Sequence, residues 1–319
     1  MSSKEFVDPQ LRGLLDQFPG FTLTASTLDQ MRNLLAELAK LAPSDKPPDD
    51  VSVEERLVAG REGTPDVRVL MFRPRQAKAP RPAYFHIHGG GYVMGSPEMT
   101  SDNSIALARE LGCVVVSAGY RLAPETAFPG QIEDCYAALK WLHAHAEELG
   151  VDPQRIAVGG ESAGAGLAAA LALLARDRKE IPLIFQLLVY PMIDDRTAVR
   201  TDIPSHQGEF IWTRENNYFG WMSLLGREPG GDNVSPYAAA ARARDLSGLP
   251  PAFIRVGSLD LFLEEDMNYA SRLLRAGVPT ELHVYPGAFH GFEGAVDADV
   301  TKRAVQSSRD ALRRALYPE

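Results

Sequence analysis

Short apolar runs rich in β-branched residues alternate with helical patterns from Val51 to the end of the chain. Such alternation is typical of a mostly parallel sheet with helices on both faces, because each parallel strand needs a crossover before the next. Eight strands are predicted, at 51–58, 67–72, 83–87, 113–118, 156–159, 184–190, 252–256 and 281–285. Helices are predicted at 103–111, 131–148, 163–176, 264–276 and 299–316. No repeat occurs at a period of roughly 20 to 50 residues, which excludes a solenoid or propeller.

Two regions lie outside this alternation. The first is about the first 45 residues, where apolar residues recur at helical spacing and predict two amphipathic helices. A proline-rich stretch at 42–48 ends the second of these helices. The second, residues 194–247, carries Phe210, Trp212 and Trp221 without a clear strand pattern. An aromatic insertion of this kind is either ordinary core or a cover over a pocket, and the residues alone leave both open. A length of 319 residues allows one domain or two.

The charge, the apolar stretches and the cysteine count argue against a nucleic-acid-binding, membrane-spanning or disulfide-rich protein. A net charge of −9 disfavours a surface that holds nucleic acid or anionic lipid. The longest small-apolar stretch, 163–175, is too short to span a bilayer, and the first residues lack a signal-peptide pattern. Two cysteines, Cys113 and Cys135, are too few for a disulfide framework. We therefore expect a soluble cytoplasmic protein with no membrane insertion and no nucleic-acid partner.

The strongest local motif is Gly160-Glu161-Ser162-Ala163-Gly164, which lies directly between a predicted strand and a predicted helix. So tight a turn strains its central residue, and only small flanking residues let the backbone fold back past it. Ser162 would then project at the carboxyl edge of the sheet, beside a helix N-terminus that favours developing negative charge. The alternative is a tight turn with an N-capping serine.

A second glycine-rich motif, His88-Gly89-Gly90-Gly91-Tyr92, follows the strand 83–87. Consecutive glycines expose backbone N–H groups with no side chain in the way. In acyl transfer the carbonyl oxygen becomes an anion, and each preorganised donor can lower the barrier by roughly 3 kcal/mol. The alternative is a flexible loop that only requires positive φ angles.

A serine nucleophile needs a histidine to take its proton and a carboxylate to orient that histidine. His290 lies in the loop after the last predicted strand, at the edge of the sheet where ligands bind. Asp260 follows the strand 252–256, and Asp194 is the reserve candidate. With Asp260, the chain has the order Ser, Asp, His.

Metal and phosphate chemistry find less support. His86 and His88 alternate on one strand face, but no third ligand stands at a convincing spacing. Neither glycine run is followed by GKS or GKT, as a phosphate-binding loop would require. We predict no metal and no cofactor.

These motifs, with Tyr120-Arg121-Leu122-Ala123-Pro124-Glu125, Phe128-Pro129 and His290-Gly291-Phe292, make the chain after Val51 resemble a known family. It is similar to the hormone-sensitive-lipase-like esterases, the bacterial family IV branch of the α/β-hydrolases. The resemblance implies an α/β-hydrolase fold with a helical cap, and a serine carboxylesterase.

Roles for individual residues follow from the resemblance. It implies Ser162 as nucleophile, His290 as general base and then acid, and Asp260 as the orienting carboxylate. The backbone N–H groups of Gly90, Gly91 and Ala163 would form the oxyanion hole. His88 would brace the glycine loop, and the turn 120–125 would be buried and paired within itself.

The sequence departs from the family at two positions. Glu161 stands where the family usually has aspartate, which should alter supporting contacts more than the reaction. Asp260-Leu261-Phe262 replaces the family's Asp-Pro-Leu, which makes the assignment of Asp260 the weakest of the three.

The prediction is one α/β-hydrolase domain, 1–319, with a cap formed by about 1–48 and about 194–247. We expect hydrolysis of small-molecule esters with short to medium acyl chains, in a pocket lined by Phe21, Tyr92, Phe210, Trp212 and Phe292. An amidase, a deacetylase and a non-catalytic small-molecule receptor remain open, because specificity is set by the pocket. The strand 281–285 and the helix 299–316 could pair in a homodimer.

Overall fold

Eight strands form a single sheet in the computed structural model, which describes residues 3–18, 20–41, 49–76 and 80–318. The strands are β1 (Val51–Val58), β2 (Val67–Pro74), β3 (Arg81–Ile87), β4 (Val114–Gly119), β5 (Val151–Glu161), β6 (Phe185–Val189), β7 (Ala252–Gly257) and β8 (Thr280–Tyr285). Their order across the sheet is β1-β2-β4-β3-β5-β6-β7-β8. β2 runs antiparallel to both β1 and β4, and all other pairs are parallel. The predicted eight-stranded, mostly parallel sheet is confirmed.

The α-helices of the described residues occupy the predicted gaps and the two irregular regions. They are α1 (Arg12–Gln17), α2 (Leu28–Leu41), α3 (Ser101–Leu111), α4 (Gly130–Ala144), α5 (Ala146–Leu149), α6 (Ala163–Arg178), α7 (Arg214–Leu225), α8 (Leu263–Arg275) and α9 (Asp299–Leu316). One prediction is wrong, because the helix expected at 131–148 is broken at His145 into α4 and α5. The backbone N–H of His145 and its Nδ1 both donate to the carbonyl of Trp141, at 3.0 and 2.9 Å.

Helices cover both faces of the sheet because neighbouring strand residues point to opposite sides. On the central strand β3, Phe85 packs into the core beneath α4 and α6, whereas Tyr84 packs into the core beneath α3 and α9. Helix α6 is buried on almost every side, and a methyl group on Gly166 would lie 2.0 Å from the carbonyl oxygen of Met192. Small residues therefore let α6 lie close to the segment after β6, directly behind Ser162.

The amino-terminal segment contacts two different parts of the fold. Residues before α2 join α7, since the Leu23 N–H donates to Asn216 Oδ1 at 2.8 Å and Asn216 Nδ2 donates to the Phe21 carbonyl at 3.0 Å. The earlier residues pack on the loop after β8, where the Asp8 N–H donates to the Gly287 carbonyl at 3.0 Å. The proline-rich boundary expected at 42–48 lies outside the described residues.

The fold buries both cysteines, and its helices bear on the membrane prediction. Cys113 and Cys135 are both buried and free. Among the described residues, none of the helices combines the length and the apolar character that a bilayer crossing needs.

Candidate active site

The turn between β5 and α6 holds Ser162 in a strained conformation, with φ 56° and ψ −122°. The sequence permits this turn because glycines flank it closely. A methyl group on Gly160 would lie 2.1 Å from the carbonyl oxygen of Ile87, and one on Gly164 would lie 2.0 Å from the same oxygen. The Ser162 N–H donates to the Val189 carbonyl at 2.9 Å, which fixes the turn against β6. The side chain is thereby fixed at the carboxyl end of the central strands.

Ser162, His290 and Asp260 form a hydrogen-bonded chain. Ser162 Oγ lies 2.9 Å from His290 Nε2, and His290 Nδ1 lies 2.9 Å from Asp260 Oδ2. Asp260 is fully buried, and its Oδ1 accepts the Phe262 N–H at 3.0 Å. The reserve candidate Asp194 pairs with Arg196 instead. This geometry allows the imidazole to take a proton from the hydroxyl while the carboxylate holds the ring.

The glycine loop lies against the Ser162 turn. Gly90 and Gly91 have φ angles of 119° and 59°, which favour glycine. A methyl group on Gly89 would lie 2.9 Å from the Glu161 carbonyl oxygen and 3.4 Å from Ser162 Cβ. The N–H groups of Gly90, Gly91 and Ala163 donate to no other residue that the structure describes. All three predicted donors therefore lack a competing acceptor among the described residues, and Gly91 and Ala163 are themselves buried in this conformation.

The histidine that begins the glycine loop is a buried, neutral residue. The His88 ring stacks on Tyr120, with centroids 4.3 Å apart and planes at 12°. Its Nδ1 donates to the Gly89 carbonyl at 2.8 Å, and the Tyr120 hydroxyl donates to the His88 carbonyl at 3.0 Å. Burial, only partly offset by the Gly89 hydrogen bond, lowers the pKa of His88 to about 4. The ring is placed to brace the loop.

His86 is used in a different network. Its Nε2 lies 2.9 Å from Glu161 Oε2, and its Nδ1 lies 3.0 Å from Ser117 Oγ. Burial would raise the pKa of Glu161, but His86 and Arg255 outweigh burial and lower it. The described part of the chain contains no cluster of three or more histidine, cysteine or acidic side chains suited to a metal. The arrangement gives the two-histidine metal alternative no support.

The expectation for the turn 120–125 is wrong. Glu125 is exposed, and its carboxylate pairs with Arg32 of α2 at 2.7 Å, while Arg121 pairs with Asp134 of α4 at 2.7 Å. The Arg32 guanidinium lowers the pKa of Glu125 to about 2, chiefly by hydrogen bonding. Arg32 also donates to the Val93 carbonyl at 2.7 Å. The turn therefore ties α2 to the segment that follows the glycine loop.

Two of the five aromatic residues predicted to line the pocket are packing residues. Tyr92 has no exposed surface, packs on Trp221 at 5.3 Å, and its hydroxyl donates to the Met192 carbonyl at 2.7 Å. Phe292 also has no exposed surface and packs against Tyr285 at 5.9 Å. A side chain without exposed surface cannot contact a ligand in this conformation, which corrects the prediction for both.

The other three lie in the irregular regions. The indole of Trp212 covers the glycine loop so closely that a methyl group on Gly91 would lie 2.1 Å from its Cη2 atom, and its ring is 6.3 Å from that of His290. Phe210 is partly buried, with its ring 5.8 Å from that of Phe289. Phe21 is partly buried beside α7, where its carbonyl accepts from Asn216.

Sequence reasoning missed two aromatic rings that contact His290. The Tyr190 ring lies 4.5 Å from the imidazole, and Phe262 meets it edge-on at 5.3 Å. Tyr190 was expected to end a strand, but β6 ends at Val189 and Tyr190 has a φ of 35°. Both residues follow a strand at the same edge of the sheet, which is the signal that would have identified them.

The chain is similar in sequence and in fold to known esterases. A family model described as an alpha/beta hydrolase fold matches residues 84–294. Carboxylesterase NlhH of Mycobacterium tuberculosis is 36% identical over 98% of this chain and 97% of its own length. An ethyl acetate hydrolase of Pseudomonas putida is 31% identical over 74% of this chain and 79% of its own length. A solved bacterial heroin esterase is 41% identical, with a TM-score of 0.92, and the match covers 99% of this chain and 100% of that one.

The matches to carboxylesterase NlhH and to the heroin esterase extend over nearly the whole chain, and the second includes its fold. The resemblance read from the motifs is therefore confirmed. The chain belongs to the hormone-sensitive-lipase-like family of α/β-hydrolases, and it is a carboxylic ester hydrolase.

Proposed function

We propose that the enzyme hydrolyses esters by a two-step acyl transfer through Ser162, His290 and Asp260. His290 takes the proton of Ser162 as Oγ attacks the ester carbonyl, and it then gives that proton to the departing alcohol. Water repeats the sequence on the acyl-enzyme and releases the acid. The observation that carries the proposal is the chain of two 2.9 Å contacts from Ser162 through His290 to Asp260.

The backbone N–H groups of Gly90, Gly91 and Ala163 are proposed to hold the oxyanion. Support comes from the absence of another acceptor for them among the described residues and from the contact of the glycine loop with the Ser162 turn. Ala163 also begins α6, whose N-terminal dipole favours negative charge. Donors fixed in advance need no reorganisation as the charge develops, which is why they lower the barrier.

Esters with short to medium acyl chains are the proposed substrates, in a pocket that includes Phe21, Phe210 and Trp212. Ser162 and His290 are only 6% and 7% exposed, and Trp212 covers the glycine loop beside them. Little room at the nucleophile favours small acyl groups. The name of the Pseudomonas relative, an ethyl acetate hydrolase, points the same way.

The two irregular regions, about 1–48 and about 194–247, are proposed to form one cap on a single catalytic domain. The hydrogen bonds between Asn216 of α7 and the backbone of Phe21 and Leu23 support this, because they join the two regions directly. So does the position of Trp212, which reaches from the second region to Gly91.

A homodimer through β8 and α9 is also proposed. β8 is the last strand of the sheet and pairs only with β7 among the described strands, which leaves its other edge unpaired. Light scattering across a dilution series is expected to give twice the chain mass, and a monomer at every concentration would contradict the dimer.

The test of the mechanism is the Ser162→Ala variant with a chromogenic acetyl ester. Turnover is expected to fall by at least about 10³-fold with the fold intact, because among the described residues no other hydroxyl hydrogen-bonds to His290. Ser307→Ala, on the surface helix α9, is the matched control and should retain full activity. Wild-type turnover in Ser162→Ala would reject the triad.

The acyl preference is tested by kcat/KM on esters of one alcohol with acyl groups from acetyl to dodecanoyl. We expect the maximum at a short or medium chain and a decline beyond it. A steady rise toward the longest chain would contradict the proposed pocket.

A further inference from the structure

Tyr190, which the triad mechanism does not use, is fixed at the end of β6 by an unusual backbone. Its φ of 35° lies in the left-handed region, which side-chain-bearing residues rarely adopt. Its N–H donates to the carbonyl of Arg255 on β7 at 2.6 Å. This conformation directs the ring toward His290, with centroids 4.5 Å apart and planes at 55°. Backbone strain of this kind persists only where the surroundings determine it.

The phenol of Tyr190 is anchored to the same loop that carries His290. Its hydroxyl donates to Glu293 Oε2 at 3.0 Å, and Glu293 follows His290 by three residues. Glu293 Oε1 in turn lies 2.7 Å from Nη2 of Arg255, which is 5% exposed. Tyr190 therefore contacts the His290 loop twice, once through its ring and once through its hydroxyl.

One side of this group borders a cavity, although Tyr190 and Arg255 are only 6% and 5% exposed. A cavity of about 750 Å³ lies between α3, α9 and the sheet, and Tyr190, Arg255 and Glu293 all contribute to its wall. Tyr190 packs with Val189, Val256 and Leu263, so packing and the hydrogen bond to Glu293 together hold the ring. The hydrogen bond is the contact that fixes the hydroxyl on the side that borders the cavity.

We propose that Tyr190 is a positioning residue for the hydrolysis, and that it sets the tilt of the His290 imidazole through its anchor on Glu293. The proposal rests on the proposed function, since it needs His290 to be the general base. The base must stay within hydrogen-bond reach of Ser162 Oγ, now 2.9 Å away, throughout the reaction. A misplacement of about 1 Å at a reacting group can cost roughly 100-fold in rate.

The test is the Tyr190→Phe variant, which keeps the ring against His290 and removes only the anchor. We expect kcat to fall by about 3- to 10-fold with KM unchanged within about twofold, since the proton transfer and not substrate binding is affected. Tyr190→Leu removes the ring as well and should lose more. Tyr136→Phe is the matched control. Tyr136 lies on α4, which carries no site residue, and its hydroxyl also donates to a carboxylate, Glu180 Oε2, at 2.9 Å.

Variants of Glu293 show whether Tyr190 acts through it. Glu293→Gln keeps an acceptor oxygen and should retain more of kcat than Glu293→Ala. The double variant Tyr190→Phe/Glu293→Ala should lose no more than Glu293→Ala alone, because both changes remove the same contact. Multiplied losses in the double variant would overturn the anchor.

The outcomes separate this proposal from the one on which it rests. An unchanged kcat in Tyr190→Phe, with hydrolysis still dependent on Ser162, would overturn the positioning role and leave the triad standing. A loss of kcat matched by an equal loss in Tyr136→Phe, or a rise in KM alone, would also overturn it. Hydrolysis that does not depend on Ser162 would instead reject the proposed function itself.

Discussion

Acidification from pH 7 to pH 5 is expected to destabilise the fold through His88. The ring is 1% exposed, stacks on Tyr120 and donates from Nδ1 to the Gly89 carbonyl. Burial lowers the pKa of His88 to about 4, from an ordinary value of 6.5. The folded protein therefore keeps this ring neutral at a pH where the unfolded chain protonates it.

The sign and size of the effect follow from these two values. Since the folded pKa is the lower one, His88 contributes full stability above about pH 6.5 and loses it as the pH falls toward 4. A pKa difference of this size corresponds to about 3 kcal/mol in total, of which about 2 kcal/mol is lost between pH 7 and pH 5. The buried carboxyls of Glu265 and Asp266 act in the opposite direction, because burial raises their pKa values well above the ordinary range.

The effect is therefore measured as a difference between proteins. The free energy of unfolding by urea is compared at pH 7 and pH 5 for the wild type, His88→Asn and the exposed control His145→Asn. We expect the wild type and His145→Asn to lose about 2 kcal/mol more than His88→Asn over this interval. The same change in all three proteins would refute the reasoning, whatever the absolute stability of His88→Asn.

Two further predictions concern the cap and the turn. Arg32→Met removes hydrogen bonds to the carbonyls of Val93 and Ala123 at 2.7 and 2.8 Å, together with the Glu125 pair, which is largely exposed and adds little. We expect the free energy that holds α2 against the rest of the protein to fall by about 2 kcal/mol, which should be seen as faster proteolysis within α2. An unchanged cleavage rate would contradict this. Gly164→Ala places a methyl group 2.0 Å from the Ile87 carbonyl oxygen, so we expect loss of ester hydrolysis and a lower unfolding temperature. Gly13→Ala, where a methyl group meets nothing within 4 Å, is its control, and equal behaviour of the two variants would contradict the close approach.

The sheet could be predicted because its information is local. The buried strands are short apolar runs, as in residues 114–116 of β4, and many of the connections carry glycine or proline. The start of β5 at Val151 was not predicted, because residues 152–155 are three polar residues and a proline, and none of them is buried. The break of the helix at His145 was also not predicted, because it involves a hydrogen bond from the imidazole to the Trp141 carbonyl that the apolar pattern does not show.

The site was predictable in its residues and order but not in its surroundings. Ser162, Asp260 and His290 follow strand ends, and parallel strands bring such ends to one edge. The partner of Glu125 could not be predicted, because Arg32 lies far away in the chain and only the packing of α2 brings it close. Tyr92 and Phe292 were predicted to line the pocket because they are aromatic and lie next to motifs. Both side chains are buried in the core, and the sequence does not show which way they point.

The central claim is that Ser162 is the nucleophile that His290 activates. Its most direct test is reaction of the wild type with an organophosphate, followed by mass analysis of the peptide that contains Ser162. The account predicts one phosphoryl group per chain, on Ser162, with residual esterase activity falling in proportion to labelling, and much slower labelling in His290→Ala. Full labelling of Ser162 with activity retained, or inactivation with the label on another residue, would contradict it.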